Sequence, residues 1–122
     1  MKRGLVVDDS AVIRMVSSRI LGLLHFQSSE ADTGAKALEF CAKQMPEVIL
    51  LDATLPRVDS LELLRSIRRM PGVDATKIIF CATENDPMLI GRALRAGADE
   101  ILFKPFDRRA VQEKFEDVGL VA

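Results

Sequence analysis

The 122-residue chain contains no tryptophan, no tyrosine, one histidine and two cysteines. Without Trp or Tyr, the sequence offers no Trp/Tyr stacking platform for nucleic-acid bases. The cysteines, Cys41 and Cys81, form neither a C-x-x-C pair nor a Cys/His cluster, so no zinc site is indicated. Cys41 lies in a segment predicted as a helix and Cys81 in one predicted as a buried strand, and we interpret both as small buried residues.

The sequence also lacks a strong excess of charge and a long apolar run. Its formal net charge of −1 provides no bulk attraction to nucleic acid or to a membrane surface. No run approaches the ~20 apolar residues of a membrane-spanning helix. The apolar run before Asp8 and Asp9 is too short for an export signal. We therefore expect a cytoplasmic protein with no DNA partner and no membrane partner.

Length and composition suit one globular domain over residues 1–122, because 48% of the residues are apolar and 29% are charged. Segments typical of strands alternate with segments typical of helices. The predicted strands are residues 5–8, 26–31, 48–51, 77–82 and 100–103, and the predicted helices are residues 10–24, 33–45, 60–69, 86–96 and 107–117. On the first helix, the residues predicted to share one face are Val12, Ile13, Val16, Ile20, Leu23 and Leu24. Five β/α repeats predict an α/β fold with a doubly wound, five-stranded parallel sheet.

Charged and hydroxyl side chains follow four of the predicted strands. Asp8 and Asp9 end the first strand, Asp52 follows the third, Thr83 the fourth and Lys104 the fifth. Because the carboxyl ends of parallel strands share one edge, where such sheets bind ligands, we expect these residues to converge. Three carboxylates that close repel one another unless a cation offsets the repulsion. Their hard oxygen atoms indicate a magnesium site.

Asp52 is the candidate nucleophile of this cluster. A carboxylate can attack phosphorus and hold the phosphoryl group as an acyl phosphate. Asp9 and Asp52, with Asp8 nearby, would hold a magnesium ion that neutralises the transferring group. Lys104 would pair with one phosphoryl oxygen, and the Thr83 hydroxyl would donate to another. We therefore expect the reactivity of Asp52 to depend on magnesium.

Four motifs give the chain a resemblance to a known family. They are Val6-Val7-Asp8-Asp9-Ser10, the Asp52–Asp59 loop, Cys81-Ala82-Thr83-Glu84, and Ala96–Glu100 followed by Phe103-Lys104-Pro105-Phe106. Together they resemble the receiver domains of two-component response regulators, and the chain looks like a stand-alone CheY-like receiver. The resemblance implies a flavodoxin-like strand order, 2-1-3-4-5.

The resemblance also implies site roles. Asp52 would accept a phosphoryl group from a histidine on a partner kinase or phosphotransfer protein. The Lys104 side chain would contact that phosphoryl group, and the peptide bond between Lys104 and Pro105 would be cis. The Thr83 side chain would move towards the phosphoryl group. The implied magnesium ligands are Asp8, Asp9, Asp52 and the main-chain carbonyl of Thr54. Ile101 stands where the family often has Tyr or Phe, so we expect a switch that works without a moving aromatic ring.

The chain leaves no room for an output domain after the last helix, so we expect the signal to leave through protein contact. The expected output surface is the fourth helix, fifth strand and fifth helix, with Arg92, Arg95, Ile101, Arg108 and Arg109. This surface is open to three interpretations: a solvated basic face, a site for a partner with an acidic groove, or a site for a cyclic dinucleotide. The kinase would dock on the first helix, at Val12, Ile13, Met15 and Val16. His25, at the end of that helix, is interpreted as a surface or capping residue.

Three other functions compete with this binding module. An aspartyl-phosphate phosphatase of the haloacid-dehalogenase type needs a second acid two residues after the nucleophile, and that position is Thr54. We therefore expect no enzyme beyond slow self-dephosphorylation. A flavodoxin-like cofactor binder would need a phosphate loop after the first strand, where Asp8 and Asp9 would repel phosphate. A fixed adaptor would have no need of the acidic triad and Lys104.

Overall fold

The computed structural model describes residues 1–122, which form one five-stranded sheet flanked by five helices. The elements are β1 (Lys2–Val7), α1 (Ala11–Leu23), β2 (Phe26–Ala31), α2 (Gly34–Lys43), β3 (Val48–Asp52), α3 (Ser60–Arg68), β4 (Lys77–Ala82), α4 (Pro87–Ala96), β5 (Glu100–Phe103) and α5 (Arg108–Asp117). The strand order is β2-β1-β3-β4-β5, and every pairing is parallel. The predicted fold class and strand order are confirmed. A short 3₁₀ turn at Val73–Ala75 was not predicted.

The sheet separates two apolar layers. One face packs against α2, α3 and α4, and the other packs against α1 and α5. The central strand β3 is buried on both faces, as expected for a parallel strand covered by helices. Cys41 lies in the first layer and Cys81 in the second, which confirms that both are buried. No helix has the length and apolar character needed to cross a membrane.

The inward face predicted for α1 was wrong in part. Val12, Val16 and Leu23 are 63%, 41% and 55% exposed, and the buried residues of the helix are Ser17, Ile20 and Leu21. Apolar residues occupy several sides of α1, so helical periodicity alone did not select the side that packs. The side of α1 that packs is the one where Leu21 approaches Gly4 of β1, because a Cβ on Gly4 would lie 3.0 Å from Leu21 Cδ1. The missing side chain therefore makes room for α1.

Polar residues at the helix N-termini fix where the loops at the carboxyl edge end. Each of the five N-cap side chains accepts a hydrogen bond from a backbone N–H of its own helix. These caps are Ser10, Thr33, Asp59, Asp86 and Asp107.

At the opposite edge, exposed His25 follows α1 with a φ of 67°, and its N–H donates to the Gly22 carbonyl. This left-handed position confirms the interpretation of His25 as a surface residue at a helix end.

Candidate functional site

Three carboxylates meet at the carboxyl edge of the sheet. Asp8 directly follows β1, Asp9 is the next residue, and Asp52 is the last residue of β3. One carboxylate oxygen from each lies within 4.8 Å of the others. Asp8 and Asp52 are each only 3% exposed, whereas Asp9 is exposed. The parallel pairing of β1 with β3 therefore brings together the acids that the sequence placed on one edge.

Lys104 supplies the positive charge within this cluster. Its Nζ lies 2.6 Å from Asp8 Oδ2 and 3.0 Å from Asp52 Oδ1. Desolvation alone would lower the pKa of Lys104. The hydrogen bonds and charges of Asp8 and Asp52 outweigh that effect and hold the pKa above its ordinary value of 10.5. Lys104 therefore stays a charged ammonium group near neutral pH. The peptide bond between Lys104 and Pro105 is cis, as predicted.

The two carboxylate oxygens of Asp52 have different surroundings. Oδ1 accepts hydrogen bonds from the Thr54 backbone N–H at 3.1 Å, from the Thr54 hydroxyl at 3.3 Å and from Lys104. Oδ2 accepts no hydrogen bond from the protein. Oδ1 therefore holds the side chain in place, and Oδ2 is the oxygen with a lone pair free to bind a cation or attack phosphorus.

The charges of the cluster fit a divalent cation. Three carboxylates and one ammonium leave a formal charge of −2, which a divalent cation balances. The donor atoms are carboxylate oxygens, and a carbonyl group at Thr54 lies two residues beyond Asp52 in the same loop. Mg²⁺ prefers such hard ligands and usually keeps several waters, so a partly exposed cluster suits it. Of the three carboxylates, that of Asp9, which is exposed and accepts no hydrogen bond, is the most open to solvent.

Thr83 follows β4 at the same edge of the sheet. Thr83 and Thr54 are both exposed and line a shallow cleft of about 170 Å³. No hydrogen bond joins Thr83 to Asp52 or to Lys104. The structure thus places Thr83 beside the loop of the acidic cluster without showing the movement that the resemblance implies, which stays a prediction.

Ile101 was predicted to lie on the output surface, but the structure buries it. It is 5% exposed and packs into the core layer that α4 covers. The reason is the two-residue alternation of β5, which directs Ile101 towards the helix packed on the sheet. The large apolar side chains that α4 and β5 do expose are Met88, Leu94 and Phe103, at 64%, 47% and 40%. The arginines predicted for this surface, Arg92, Arg95, Arg108 and Arg109, are exposed.

Arg14 is a residue that the sequence analysis missed. It lies near the start of α1, and its guanidinium donates to the backbone carbonyl of Asp8 at 2.8 Å. The available signal was an arginine on the otherwise apolar start of α1, six residues after the first aspartate. Sequence alone did not show that its side chain turns back towards β1.

Doubly wound parallel sheets bind their ligands at the carboxyl edge. In this α/β protein, that edge carries an acidic cluster and one lysine, which make a polar ligand site. Residues 5–116 match the family described as the response regulator receiver domain. The chain therefore belongs to the response regulator receiver domain family. This finding confirms the resemblance recognised in the motifs.

Within this family, the chain is similar in sequence and structure to several CheY proteins. The chemotaxis protein CheY of Bacillus subtilis is 34% identical over 113 residues, which are 91% of this chain and 92% of that protein. CheY of Thermotoga maritima is 29% identical, covering 97% of this chain and 98% of that one. The solved structure of Vibrio cholerae CheY4 superimposes with a TM-score of 0.91 at 28% identity, covering 97% and 98%. The chain is a CheY-like receiver domain, a signalling module and not a classical enzyme.

Proposed function

We propose that this receiver accepts a phosphoryl group on Asp52 from a phosphohistidine of a kinase or phosphotransfer protein, in a magnesium-dependent reaction. The observation that carries this proposal is the environment of Asp52. One of its oxygens is held by three hydrogen bonds and the other makes none, and the side chain lies beside two further carboxylates and an ammonium. A carboxylate with only a structural role would be expected to have both oxygens bonded.

The chemistry requires the protein to hold a nucleophile and balance charge. Asp52 Oδ2 attacks phosphorus, the P–O bond forms, and the P–N bond to the donor imidazole breaks, leaving the electron pair on nitrogen. Lys104 Nζ, already beside Asp52, pairs with a phosphoryl oxygen. Thr54 keeps Oδ1 in place during attack. The Thr83 hydroxyl then moves towards the phosphoryl group and hydrogen-bonds to it.

The metal site of this proposal uses residues from two strand ends and one loop. The ligands are Asp8, Asp9, Asp52 and the backbone carbonyl of Thr54. Bound Mg²⁺ supplies the positive charge that lets a dianionic phosphoryl group approach a carboxylate cluster. Asp8 already shares Lys104 with Asp52, so it also keeps the ammonium correctly placed.

The output of the proposed module is a change in protein binding. Residues 5–116 form the receiver domain, and in this proposal its signal passes through the face of α4, β5 and α5. Its exposed arginines and apolar side chains fit a partner with acidic and apolar groups. On the input side, exposed Val12, Met15 and Val16 of α1 provide apolar contacts for the phosphodonor protein. A phosphoryl group that forms one to three charge-assisted hydrogen bonds can bias such a surface.

The test is phosphorylation by acetyl phosphate, followed by intact mass spectrometry, in the presence of Mg²⁺ or of EDTA. Wild type should gain one phosphoryl group only with Mg²⁺. Asp52→Asn should gain none, and Asp117→Asn, which removes an exposed carboxylate at the end of α5, should behave as wild type. Equal labelling of wild type and Asp52→Asn would place the acceptor elsewhere.

A further inference from the structure

Arg14 connects α1 to the turn that carries the acidic cluster. Its Nη1 donates to the backbone carbonyl of Asp8 at 2.8 Å, and its Nε donates to Glu30 Oε1 on β2 at 3.1 Å. Ser18 Oγ donates to the other oxygen of Glu30 at 3.2 Å, so Glu30 is held from two sides. The Arg14 side chain is 18% exposed. The guanidinium is therefore fixed in one position, and its two bonded groups use the fork of donors that arginine provides.

The Asp8 carbonyl matters because it belongs to the peptide that joins Asp8 to Asp9. The Asp8 side chain has its own restraints, since Lys104 binds Oδ2 and the Ser10 N–H donates to Oδ1 at 2.9 Å. Asp9 has none: it is exposed, and its carboxylate accepts no hydrogen bond. The direction of the Asp9 side chain thus depends on its backbone, and Arg14 holds the peptide plane that sets this backbone.

We propose that Arg14 is a positioning residue for the metal site, acting through the Asp8–Asp9 peptide to aim the Asp9 carboxylate at the cation. This inference rests on the proposed magnesium site and adds a residue that does not touch the ion. Removing a group that orients a metal ligand from outside the ligand shell typically costs about 10–100-fold in metal affinity.

The charge of Arg14 alone would change Mg²⁺ affinity in the opposite direction, so the direction of the measured change tests the inference. Arg14 is a cation bonded to the backbone of the turn that carries Asp8 and Asp9, so its field repels an incoming Mg²⁺. Removing the guanidinium should therefore tighten metal binding if charge is its only influence. Removing it should weaken binding if its hydrogen bond to the Asp8 carbonyl positions Asp9.

The experiment measures the Mg²⁺ dissociation constant by calorimetry and the melting temperature with Mg²⁺ or EDTA. Arg14→Met should raise the dissociation constant by about tenfold or more. Arg14→Lys keeps the charge but loses the fork, so it should also weaken binding. The control is Arg19→Met, which removes an exposed arginine of the same helix that makes no ion pair, and it should bind as wild type does.

Each outcome decides between the alternatives. Unchanged or tighter Mg²⁺ binding by both Arg14 variants overturns the inference while leaving the metal site intact. A merely structural role would lower the melting temperature equally in Mg²⁺ and in EDTA, without changing the dissociation constant. If Arg14→Met does not fold, Arg14→Lys decides by the same criteria. If wild type itself binds no Mg²⁺, the proposed metal site fails and this inference fails with it.

Discussion

Replacing Lys104 with methionine tests how the acidic cluster is held together without metal. The substitution removes the only ammonium among Asp8, Asp9 and Asp52 while keeping an unbranched side chain of similar length. At an effective dielectric constant of about 20, each attraction from Lys104 at 2.6 and 3.0 Å has a Coulomb energy of roughly 6 kcal/mol before desolvation. Acidic oxygens no more than 4.8 Å apart then repel one another by about 3 kcal/mol or more.

Much of this Coulomb energy is offset by the cost of burying the charges, so the expected net loss is smaller. Breaking a buried ion pair by removing one partner typically costs about 3–5 kcal/mol. We expect Lys104→Met to lower the free energy of unfolding by that amount in EDTA, measured by urea denaturation. The double variant Lys104→Met/Asp52→Asn should lose less, because it also removes one of the repelling carboxylates.

Metal should reverse much of the loss, since the Lys104 ammonium no longer repels Mg²⁺ bound to the same carboxylates. Saturating Mg²⁺ should therefore increase the free energy of unfolding more in Lys104→Met than in wild type, by RT ln(1 + [Mg²⁺]/Kd) for each protein. A loss below about 1 kcal/mol in EDTA would refute the reasoning, because surface ion pairs contribute no more than that. So would a smaller Mg²⁺ gain in the variant than in wild type.

Two further predictions concern packing and pH. Gly4→Ala should destabilise the fold by about 1–3 kcal/mol, because its Cβ would crowd Leu21 at 3.0 Å. Gly22→Ala, with no atom within 4 Å of its Cβ, should stabilise α1 by about 0.5–1 kcal/mol; chemical denaturation tests both, and equal effects would contradict the packing argument. Burial raises the pKa of the Cys41 thiol to about 11 and that of Cys81 to about 12, from an ordinary value of 9.0. Because the fold favours the neutral thiols, stability should be complete below pH 9 and fall as pH rises towards those values, by up to about 1.4 kcal/mol per pH unit for each thiol. Unfolding curves that show no decline above pH 9 would contradict this.

The acidic cluster was predictable because its members occupy the ends of strands. Once β1 and β3 are neighbours in a parallel sheet, Asp8 and Asp52 must lie at one edge, and the fifth strand brings Lys104 to the same edge. The convergence therefore follows from strand order, without any side-chain detail. The same argument placed Thr83 at the edge but could not show its distance from Asp52.

The features that could not be predicted from the sequence depend on the direction of individual side chains. Helical periodicity did not reveal which side of α1 packs, because that choice depends on the space left by Gly4 for Leu21. Arg14 was not recognised as part of the site, since nothing in the spacing shows that its side chain reaches the Asp8 carbonyl. Ile101 was assigned to the surface, although the alternation of β5 directs it into the core.

In the proposed reaction, one oxygen of Asp52 accepts a phosphoryl group beside a cation that the neighbouring acids bind. Borohydride reduction after treatment with acetyl phosphate tests it most directly, because it converts an acyl phosphate on aspartate to homoserine that peptide mass spectrometry can locate. We expect homoserine at residue 52 alone, and only when Mg²⁺ was present. Homoserine at another aspartate, or equal conversion in EDTA, would contradict the account.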